Sequence, residues 1–486
     1  MRTYIGIDLG TSSVKLILTN NVGKILSSVS KSYPISYPKN GWSEQSPEDW
    51  LAAVKEGLNE LLAEADRKDV KGISFGGQMH GLVILDKDDN VIRPAILWND
   101  GRTEKETEYL NNVIGKDRLS EYTANIAFAG FTAPKILWLK ENEPENFKKI
   151  AKIMLPKDYI AYKMTGVHST DYSDASGTLL LDVKNKCWSE EMLDICGVKK
   201  EWLPRLYESY EVIGKPLSEY GLPEAVVTAG AGDNAAAAIG CGVINNGECN
   251  ISLGTSGTVF ICGDKFTPDA SGSLHSFCHA GGKFHLMACI LSAASCNKWW
   301  MTEILSTDDY EKEQKGLDSF MGENEVIFLP YLMGERSPHN DVKAKSLFIG
   351  MQPNTERRKM TLAIMEGVAF ALRDCIERAK LDGINISETK ICGGGAKSEI
   401  WKKIIANVLS MPVSTIETEE GPALGAAMLS MVGAKEYSDV SECVKATVKN
   451  SRTVFYDEKL SKKYEKQYRI FKQIYPALKE IFPQMN

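Results

Sequence analysis

Several features that would place a sequence quickly in a class of protein are missing from this one. Its 486 residues contain no apolar run of about 18 residues and no signal-like N-terminus, so neither a membrane span nor secretion is expected. There is no block of basic residues and the formal net charge is -7, which argues against a nucleic-acid partner. We therefore expect a cytoplasmic globular protein whose partners are small molecules.

Cysteine is absent from the first 186 residues, and the eleven cysteines from Cys187 onward never occur in CxxC spacing. A chain of this length needs no disulfide staples, so we expect reduced and mostly buried thiols. The stretch HSFCHA, residues His275–Ala280, contains metal-ligating residue types, but the sequence has no second Cys/His cluster of matching spacing. A packed strand or loop is favoured there over a metal site.

The sequence also lacks a GxxxxGK[ST] motif, which excludes a P-loop nucleotide site. It contains an internal echo instead, because IDLGTSSV at Ile7–Val14 recurs as ISLGTSGT at Ile251–Thr258. Each copy has the pattern of a strand, a Gly-Thr-Ser turn and a second strand. The chain is too long for one ordinary core, so the echo predicts two domains of the same topology, 1–244 and 245–486, the second with a helical tail.

The two Gly-Thr-Ser turns have the chemistry of a phosphate site. Consecutive backbone N–H groups and hydroxyls form a nest for anions, and the glycines of the turns, Gly10 and Gly254, let oxygen atoms approach the backbone. Thr11, Ser12 and Ser13 could add hydroxyl donors, and Lys15 could neutralise phosphate charge. Two such turns facing each other favour a bound polyphosphate over two ordinary hairpins.

The copies differ at one informative position, where the first has Asp8 and the second has Ser252. A carboxylate beside bound phosphates is repelled unless a cation lies between them. Asp8 therefore predicts Mg²⁺, held largely through water, as this ion usually is with nucleotides.

Two glycine-flanked motifs have the character of ligand contacts. CGGGAKSE follows a strand, and Gly394 and Gly395 would let an adenosine ring lie on the backbone, with a core turn as the alternative. GGQMHG offers polar edges through Gln78 and His80, which a polyhydroxylated substrate needs. WNDGR, which begins at Trp98, has a similar character.

The stretch AGAGDNAAAAIG contains one acid, Asp233, which is the only charged residue between Glu224 and Glu248. Three interpretations of this acid are open. The stretch fits GxGxxA after a strand, a dinucleotide fingerprint that would leave both Gly-Thr-Ser turns unused. Asp233 could also cap a helix. Alternatively, it accepts the proton of an attacking hydroxyl during phosphoryl transfer.

Motifs in a consistent order carry a resemblance to the FGGY family of carbohydrate kinases, within the actin/hexokinase/Hsp70 superfamily. They are IGIDLGTSS, GQMHG, AILWNDGR, GFTAPKILWLKENEP, LPKDY, GAGDNAA, SLGTSG, FLPYLMGERSPHN, GGGAKSE and GPALGAA, and they span about residues 3 to 430. One departure is Lys359, which stands where the second family signature usually has His, Asp, Glu or Asn. The resemblance implies an α/β fold of two actin-like (ribonuclease H-like) domains with a cleft between them.

The resemblance also implies an activity and a set of roles. It implies phosphorylation of D-xylulose at its 5-hydroxyl by Mg²⁺–ATP, with the sugar mainly on the N-terminal domain and the nucleotide mainly on the C-terminal one. Asp233 would be the base and Asp8 part of the Mg²⁺ site. The implied contacts are Thr11, Ser12, Lys15, Gly254 and Thr255 for phosphates, Gly394, Gly395 and Glu399 for adenosine, and Gln78, Met79, His80, Trp98 and Asn234 for the sugar.

Met79 and His80 favour a ketopentose over glycerol, since glycerol kinases of this family have an Arg-Glu pair at that place. Three alternatives stay open: another ketose or polyol, such as ribulose or 1-deoxyxylulose; a sensor or actin-like assembly protein without catalysis; and a dinucleotide oxidoreductase built on GAGDNA. The sequence leaves the oligomeric state open, with a homodimer among the alternatives.

Overall fold

Two large mixed sheets, each with helices packed around it, form the framework of the chain. The computed structural model describes residues 1–269, 271–418 and 420–485. In those ranges each large sheet has seven strands, and short two-stranded pairs accompany them.

The first sheet is built from the N-terminal half of the chain. Its spatial order is Val212–Gly214, Val226–Thr228, Val70–Gly77, Thr3–Leu9, Ser13–Asn20 and Ile25–Ser32, with Ala231–Gly232 also paired to Val70–Gly77. The second sheet has the order His275–Cys278, Phe284–Ile290, Gly257–Gly263, Glu248–Leu253, Glu388–Cys392, Val413–Ile416 and Asn450–Val454.

The two sheets share one topology, as the internal echo predicted. Each contains three neighbouring antiparallel strands, and a parallel strand then joins the edge of the first of them. A further parallel strand extends each sheet beyond it. The strands are rich in β-branched and aliphatic residues, and Gly10 and Gly254 lie in the turns that join the first two strands of each sheet.

Helices cover the sheets and fill the connections. They are Pro47–Leu61, Glu104–Glu108, Lys116–Thr123, Thr132–Asn142, Pro144–Phe147, Pro156–Thr165, Tyr172–Ala175, Glu190–Cys196, Asp233–Gly240, Ala294–Trp299, Tyr310–Gln314, Arg357–Leu381, Glu399–Leu409, Gly421–Gly433, Val440–Thr447 and Glu458–Leu478. The short strand pairs are Glu44–Gln45 with Ala95–Ile96, Val83–Leu85 with Lys152–Met154, Ser169–Asp171 with Arg205–Tyr207, Leu181–Asp182 with Cys187–Trp188, and Ile327–Leu329 with Leu347–Ile349. No helix in the described ranges combines the length and apolar character needed to cross a bilayer.

Helix Gly421–Gly433 joins the two halves, although it comes late in the chain. It packs directly on the first sheet, where a Cβ on Gly6 would lie 1.9 Å from the carbonyl oxygen of Ala423. It also packs on helix Asp233–Gly240, where a Cβ on Gly425 would lie 1.8 Å from the carbonyl oxygen of Ala236. Small residues are required here because two backbones touch. The middle and the end of the helix that begins at Asp233 are therefore held by residues from the other half.

Candidate active site

The carboxyl ends of neighbouring parallel strands bring the predicted catalytic residues together. Asp8 lies opposite Gly76 in one strand pair, and Gly232 lies opposite Gly77 in the next. The carboxyl ends of parallel strands meet at one edge of a sheet, which is where α/β proteins place their ligands. The first Gly-Thr-Ser turn, the GQMHG motif and Asp233 therefore converge at this edge.

Asp233 is the first residue of helix Asp233–Gly240, and Gly232 occupies the N-cap position. The helix-cap interpretation of Asp233 is therefore wrong. One carboxylate oxygen, Oδ1, accepts hydrogen bonds from the N–H and the Nδ2 of Asn234, at 2.7 and 2.8 Å. Burial raises the pKa of Asp233 to about 6, and the bonds from Asn234 oppose this rise. The group is ionised near neutral pH yet more basic than an ordinary Asp, which suits a proton acceptor.

Asp8 is a partly buried carboxylate, and Lys15 offsets its charge only in part because Lys15 is already paired with Glu420. Burial raises its pKa to about 7, the charge of Asp233 raises it further, Lys15 lowers it, and Glu420 adds a smaller rise. A divalent cation would remove this electrostatic penalty. Within the described ranges no three His, Cys, Asp or Glu side chains are grouped to hold a metal by themselves. The residues present therefore fit Mg²⁺ that takes most of its ligands from phosphates and water, with Asp8 as the protein's carboxylate.

The GQMHG motif is buried beside Gly232. A Cβ on Gly232 would lie 3.0 Å from both Cγ and Sδ of Met79, so the two touch. Gln78 donates through Nε2 to Oε1 of Gln45 at 3.2 Å, and its own Oε1 is buried without a hydrogen-bond partner among the described residues. An acceptor left unpaired in this way is suited to a ligand hydroxyl.

His80 has one defined protonation form. Its Nδ1 lies 2.7 Å from the carbonyl oxygen of Gly177, which can only accept, so Nδ1 carries the hydrogen and Nε2 is an acceptor. Burial lowers the pKa of His80 to about 3, and the cation of Lys135 lowers it further, so the ring is neutral. His80 also has φ +69, a strained conformation for a non-glycine residue. The ring is thereby held as a neutral hydrogen-bond acceptor.

The first Gly-Thr-Ser turn is open to ligands. Trp98, 45% exposed, donates through Nε1 to Oγ1 of Thr11 at 2.9 Å, and Gln45 donates to the Thr11 carbonyl at 2.8 Å. Among the described residues, the N–H groups of Thr11 and Ser12 donate to no backbone carbonyl. The turn is thus held from behind while its own donors are free.

The second turn lies next to the glycine run, as strand pairing requires. Ser252 is opposite Cys392, so the turn at Gly254 and Thr255 adjoins the glycines that follow Cys392. A Cβ on Gly395 would lie 2.6 Å from the side chain of Leu253, whereas one on Gly394 would meet nothing within 4 Å. Gly395 is therefore a close-packing glycine, and only Gly394 presents open backbone.

Two charged residues from the sequence prediction already have partners. Lys15 forms an ion pair with Glu420, which lies just before helix Gly421–Gly433. Glu399 pairs with Lys402 at 2.7 Å and with Arg452 at 2.9 Å. Within His275–Ala280, the stretch weighed as a metal site, His275–Cys278 is the strand at one edge of the second sheet.

Residues that sequence reasoning missed include Glu420, Gln45 and Gly177. Gln45 supports both the first turn and Gln78, and Gly177 orients His80. None of the three stands in a motif whose spacing points to a ligand, so no local signal marks them.

Each of the two similar sheets has a Gly-Thr-Ser turn between its first two strands. Two carboxylates lie at one edge of the first sheet, one of raised basicity and one suited to a cation. These features define the class of the protein as a phosphotransferase of two lobes. Comparison with known proteins agrees. The model of the FGGY family of carbohydrate kinases, N-terminal domain, matches residues 3–240, and that of the C-terminal domain matches 249–434. The chain belongs to the FGGY family of carbohydrate kinases and has the family's two-domain α/β fold. This membership removes the dinucleotide oxidoreductase alternative.

Individual relatives extend the likeness over nearly the whole chain. A xylulose kinase from Bacillus subtilis is 39% identical, covering 99% of this chain and 98% of its own. The crystal structure of a xyloylose kinase from Brucella ovis matches with a TM-score of 0.94 at 36% identity, over 99% and 100% of the two chains. A gluconate kinase from Lactobacillus acidophilus matches with a TM-score of 0.95 at 28% identity, over 100% of both.

Proposed function

We propose that this kinase transfers the γ-phosphoryl group of ATP to the 5-hydroxyl of D-xylulose. The observation that carries the chemistry is the position of Asp233, a carboxylate of raised basicity at the sheet edge it shares with Asp8 and the GQMHG motif. The choice of sugar rests on relatives such as the xylulose kinase from Bacillus subtilis. It also rests on Met79 and His80, because glycerol kinases of this family have an Arg-Glu pair at that place.

Asp233 accepts the proton of the attacking hydroxyl in this proposal. Proton transfer to a weak base is adequate because the transition state of phosphoryl transfer is loose. Asn234 fixes the carboxylate through one of its two oxygens, Oδ1, which leaves the other oxygen for the hydroxyl. His80, Gln78 and Asn234 supply acceptors and a donor for the remaining sugar hydroxyls.

The nucleotide would lie between the two turns. The N–H groups of Thr11, Ser12 and Thr255, which donate to no backbone carbonyl among the described residues, would serve as phosphate donors, and Lys15 would add charge. Gly394 offers open backbone to adenosine, and Gly395 keeps that backbone close to Leu253. Mg²⁺ beside Asp8 would neutralise the phosphates and the developing charge when bound.

A coupled ADP-release assay over ketoses, polyols and aldonates tests the proposal. We expect the highest kcat/KM with D-xylulose. We expect Asp233→Ala to bind ATP and xylulose, measured by calorimetry, while kcat falls by about three orders of magnitude or more. Asn234→Ala is the matched control, with a fall of about tenfold, since it keeps the base.

Three results would contradict parts of the proposal. Near-normal turnover by Asp233→Ala overturns the base. A higher kcat/KM for ribulose, 1-deoxyxylulose or gluconate overturns the sugar. Binding of sugar and ATP without ADP release on any substrate supports a non-catalytic sensor.

A further inference from the structure

A buried segment behind the catalytic residues has no role in the proposed reaction as described so far. It runs from Asp171 to Gly177, through the short helix Tyr172–Ala175, and is named here the rear segment. All of its residues except Tyr172 are buried. It lies under both the sugar-contacting motif and the start of the helix that carries Asp233.

The rear segment is anchored by a fully buried charge cluster. Lys157 Nζ lies 2.6 Å from Oδ1 of Asp158, 2.9 Å from Oδ1 of Asp171 and 3.6 Å from Oδ2 of Asp174, and all four side chains are at most 1% exposed. Removing charges from water costs several kcal/mol per ion, and displacing one partner leaves another charge uncompensated. The anchor therefore resists movement.

One arm of the rear segment reaches the base. Asp171 Oδ2 accepts from the N–H and the Oγ of Ser173, at 2.8 and 2.5 Å. Ser173 Oγ in turn accepts from the N–H of Gly232 at 3.1 Å. Gly232 immediately precedes Asp233, and Met79 packs against its opposite side. The peptide before the base is thus held between Ser173 and Met79.

The other arm reaches the sugar contact. The carbonyl oxygen of Gly177 accepts the Nδ1 hydrogen of His80 at 2.7 Å. A Cβ on Gly177 would lie 2.4 Å from Cε1 of His80 and 3.0 Å from Cε of Met79. Glycine at 177 is therefore what allows the imidazole to lie against the segment.

We propose that the rear segment sets the relative position of His80 and Asp233, and that Ser173 and Gly177 are positioning residues for phosphoryl transfer. The inference rests on the proposed function, because it assumes that His80 holds the sugar and Asp233 takes its proton. His80 must hold one part of the sugar while the 5-hydroxyl lies within reach of Asp233. A misplacement of about 1 Å between the two can cost about a hundredfold in rate.

The two arms give different kinetic signatures. Ser173→Ala removes the acceptor of Gly232 N–H and loosens the base, so we expect kcat to fall about tenfold or more with the KM for xylulose within about twofold. Gly177→Ala pushes the ring of His80 away, so we expect the KM for xylulose to rise about tenfold or more. We expect the KM for ATP to stay within about twofold in both variants, since the contacts of neither arm include a residue of the two Gly-Thr-Ser turns.

Thr178→Val is the matched control. Among the described residues its buried hydroxyl bonds to the carbonyl of Ala175 and the N–H of Leu180, so the variant loses a buried hydroxyl next to the segment without removing a bond to Gly232 or His80. We expect its kcat and KM to stay within about twofold of the parent, with a melting temperature close to that of Ser173→Ala.

The outcomes separate this inference from the proposed function. Activity of the parent on xylulose and its loss in Asp233→Ala test the function alone. If both hold and Ser173→Ala has the kcat of Thr178→Val, or Gly177→Ala keeps the parent's KM for xylulose, the positioning role is overturned. Equal losses in kcat and in melting temperature for Ser173→Ala and Thr178→Val would show a purely structural role, which also overturns it.

Discussion

The two Gly-Thr-Ser turns have the same backbone pattern, but charged side chains surround the first turn and uncharged residues stand at two of the corresponding places in the second. The first turn is surrounded by Asp8, Asp233, Lys15 and Glu420, whose charges act on one another. The second has Ser252 at the place of Asp8 and the fully buried Val259 at the place of Lys15. Both turns offer backbone donors, so both suit phosphate, but only the first offers groups that hold a cation or move a proton. Under the proposed function, we therefore expect both turns to bind phosphate and only the first to take part in the chemistry.

The largest effect is expected from replacing the residue at which the two turns differ, Asp8 in the first and Ser252 in the second. Asp8→Asn is expected to lower kcat about a hundredfold or more and to raise the Mg²⁺ concentration needed for half-maximal rate, because the cation loses its protein carboxylate. Ser252→Ala is expected to change kcat by less than about threefold. Equal losses in the two variants, measured by ADP release across a Mg²⁺ titration, would contradict the assignment of chemistry to the first turn.

The pH dependence should belong to the first turn as well. Asp233 must be ionised to accept a proton, and its pKa is raised to about 6 by burial. We expect kcat/KM for the sugar to be level above about pH 7 and to fall about tenfold per pH unit well below pH 6. The same fall in kcat/KM at low pH is expected in Ser252→Ala. A profile that stays flat down to pH 5 would contradict the role of Asp233.

Lys15 and Glu420 test the charge balance at the first turn. Lys15→Gln is expected to raise the KM for ATP by about three- to tenfold, since a phosphate loses a charged donor. Glu420→Gln frees Lys15 from its ion pair and is expected to lower that KM by about twofold. If both variants raise the KM alike, the intact pair, rather than Lys15 alone, supports the nucleotide.

The smallest expected effect is on stability. The pKa of Asp233 is raised in the folded protein, so the folded state binds this proton more tightly than the unfolded chain does. Its contribution is most favourable below about pH 4, is lost as the pH rises towards 6, and is constant above. Asp233→Asn should therefore gain on the order of 2–3 kcal/mol over the parent above pH 6, and nothing below pH 4. Melting curves against pH measure this, with Ser252→Ala as the pH-independent control.

Much of the site could be predicted because its chemistry lies in short, local patterns. A strand, a Gly-Thr-Ser turn and a second strand are encoded within about ten residues, and two copies predicted two like sheets, which the strand order confirms. Asp233 stands out because its neighbours are small and uncharged. The prediction that Asp233 caps this helix was wrong, because Gly232 occupies the N-cap position and Asp233 is the first helical residue.

The partners of these residues could not be predicted, because they come from distant parts of the chain. Glu420, 405 positions from Lys15, pairs with it only because helix Gly421–Gly433 packs on the first sheet. In the sequence that helix is a segment rich in small residues in the second half of the chain, and no local pattern indicates which sheet it covers. Which nearby glycine is open, Gly394 rather than Gly395, likewise depends on where Leu253 packs.

The sequence by itself determined the two turns, the asymmetry of Asp8 and Ser252, and the isolation of Asp233, since each depends on residue type and neighbours along the chain. Only the tertiary structure decided that Asp8 and Asp233 share one sheet edge, where their two negative charges favour a bound cation. It also decided that His80 is a neutral acceptor, because burial and the carbonyl of Gly177 select its protonation form. Burial and electrostatic coupling are properties of packing, and packing brings together residues that the sequence keeps far apart.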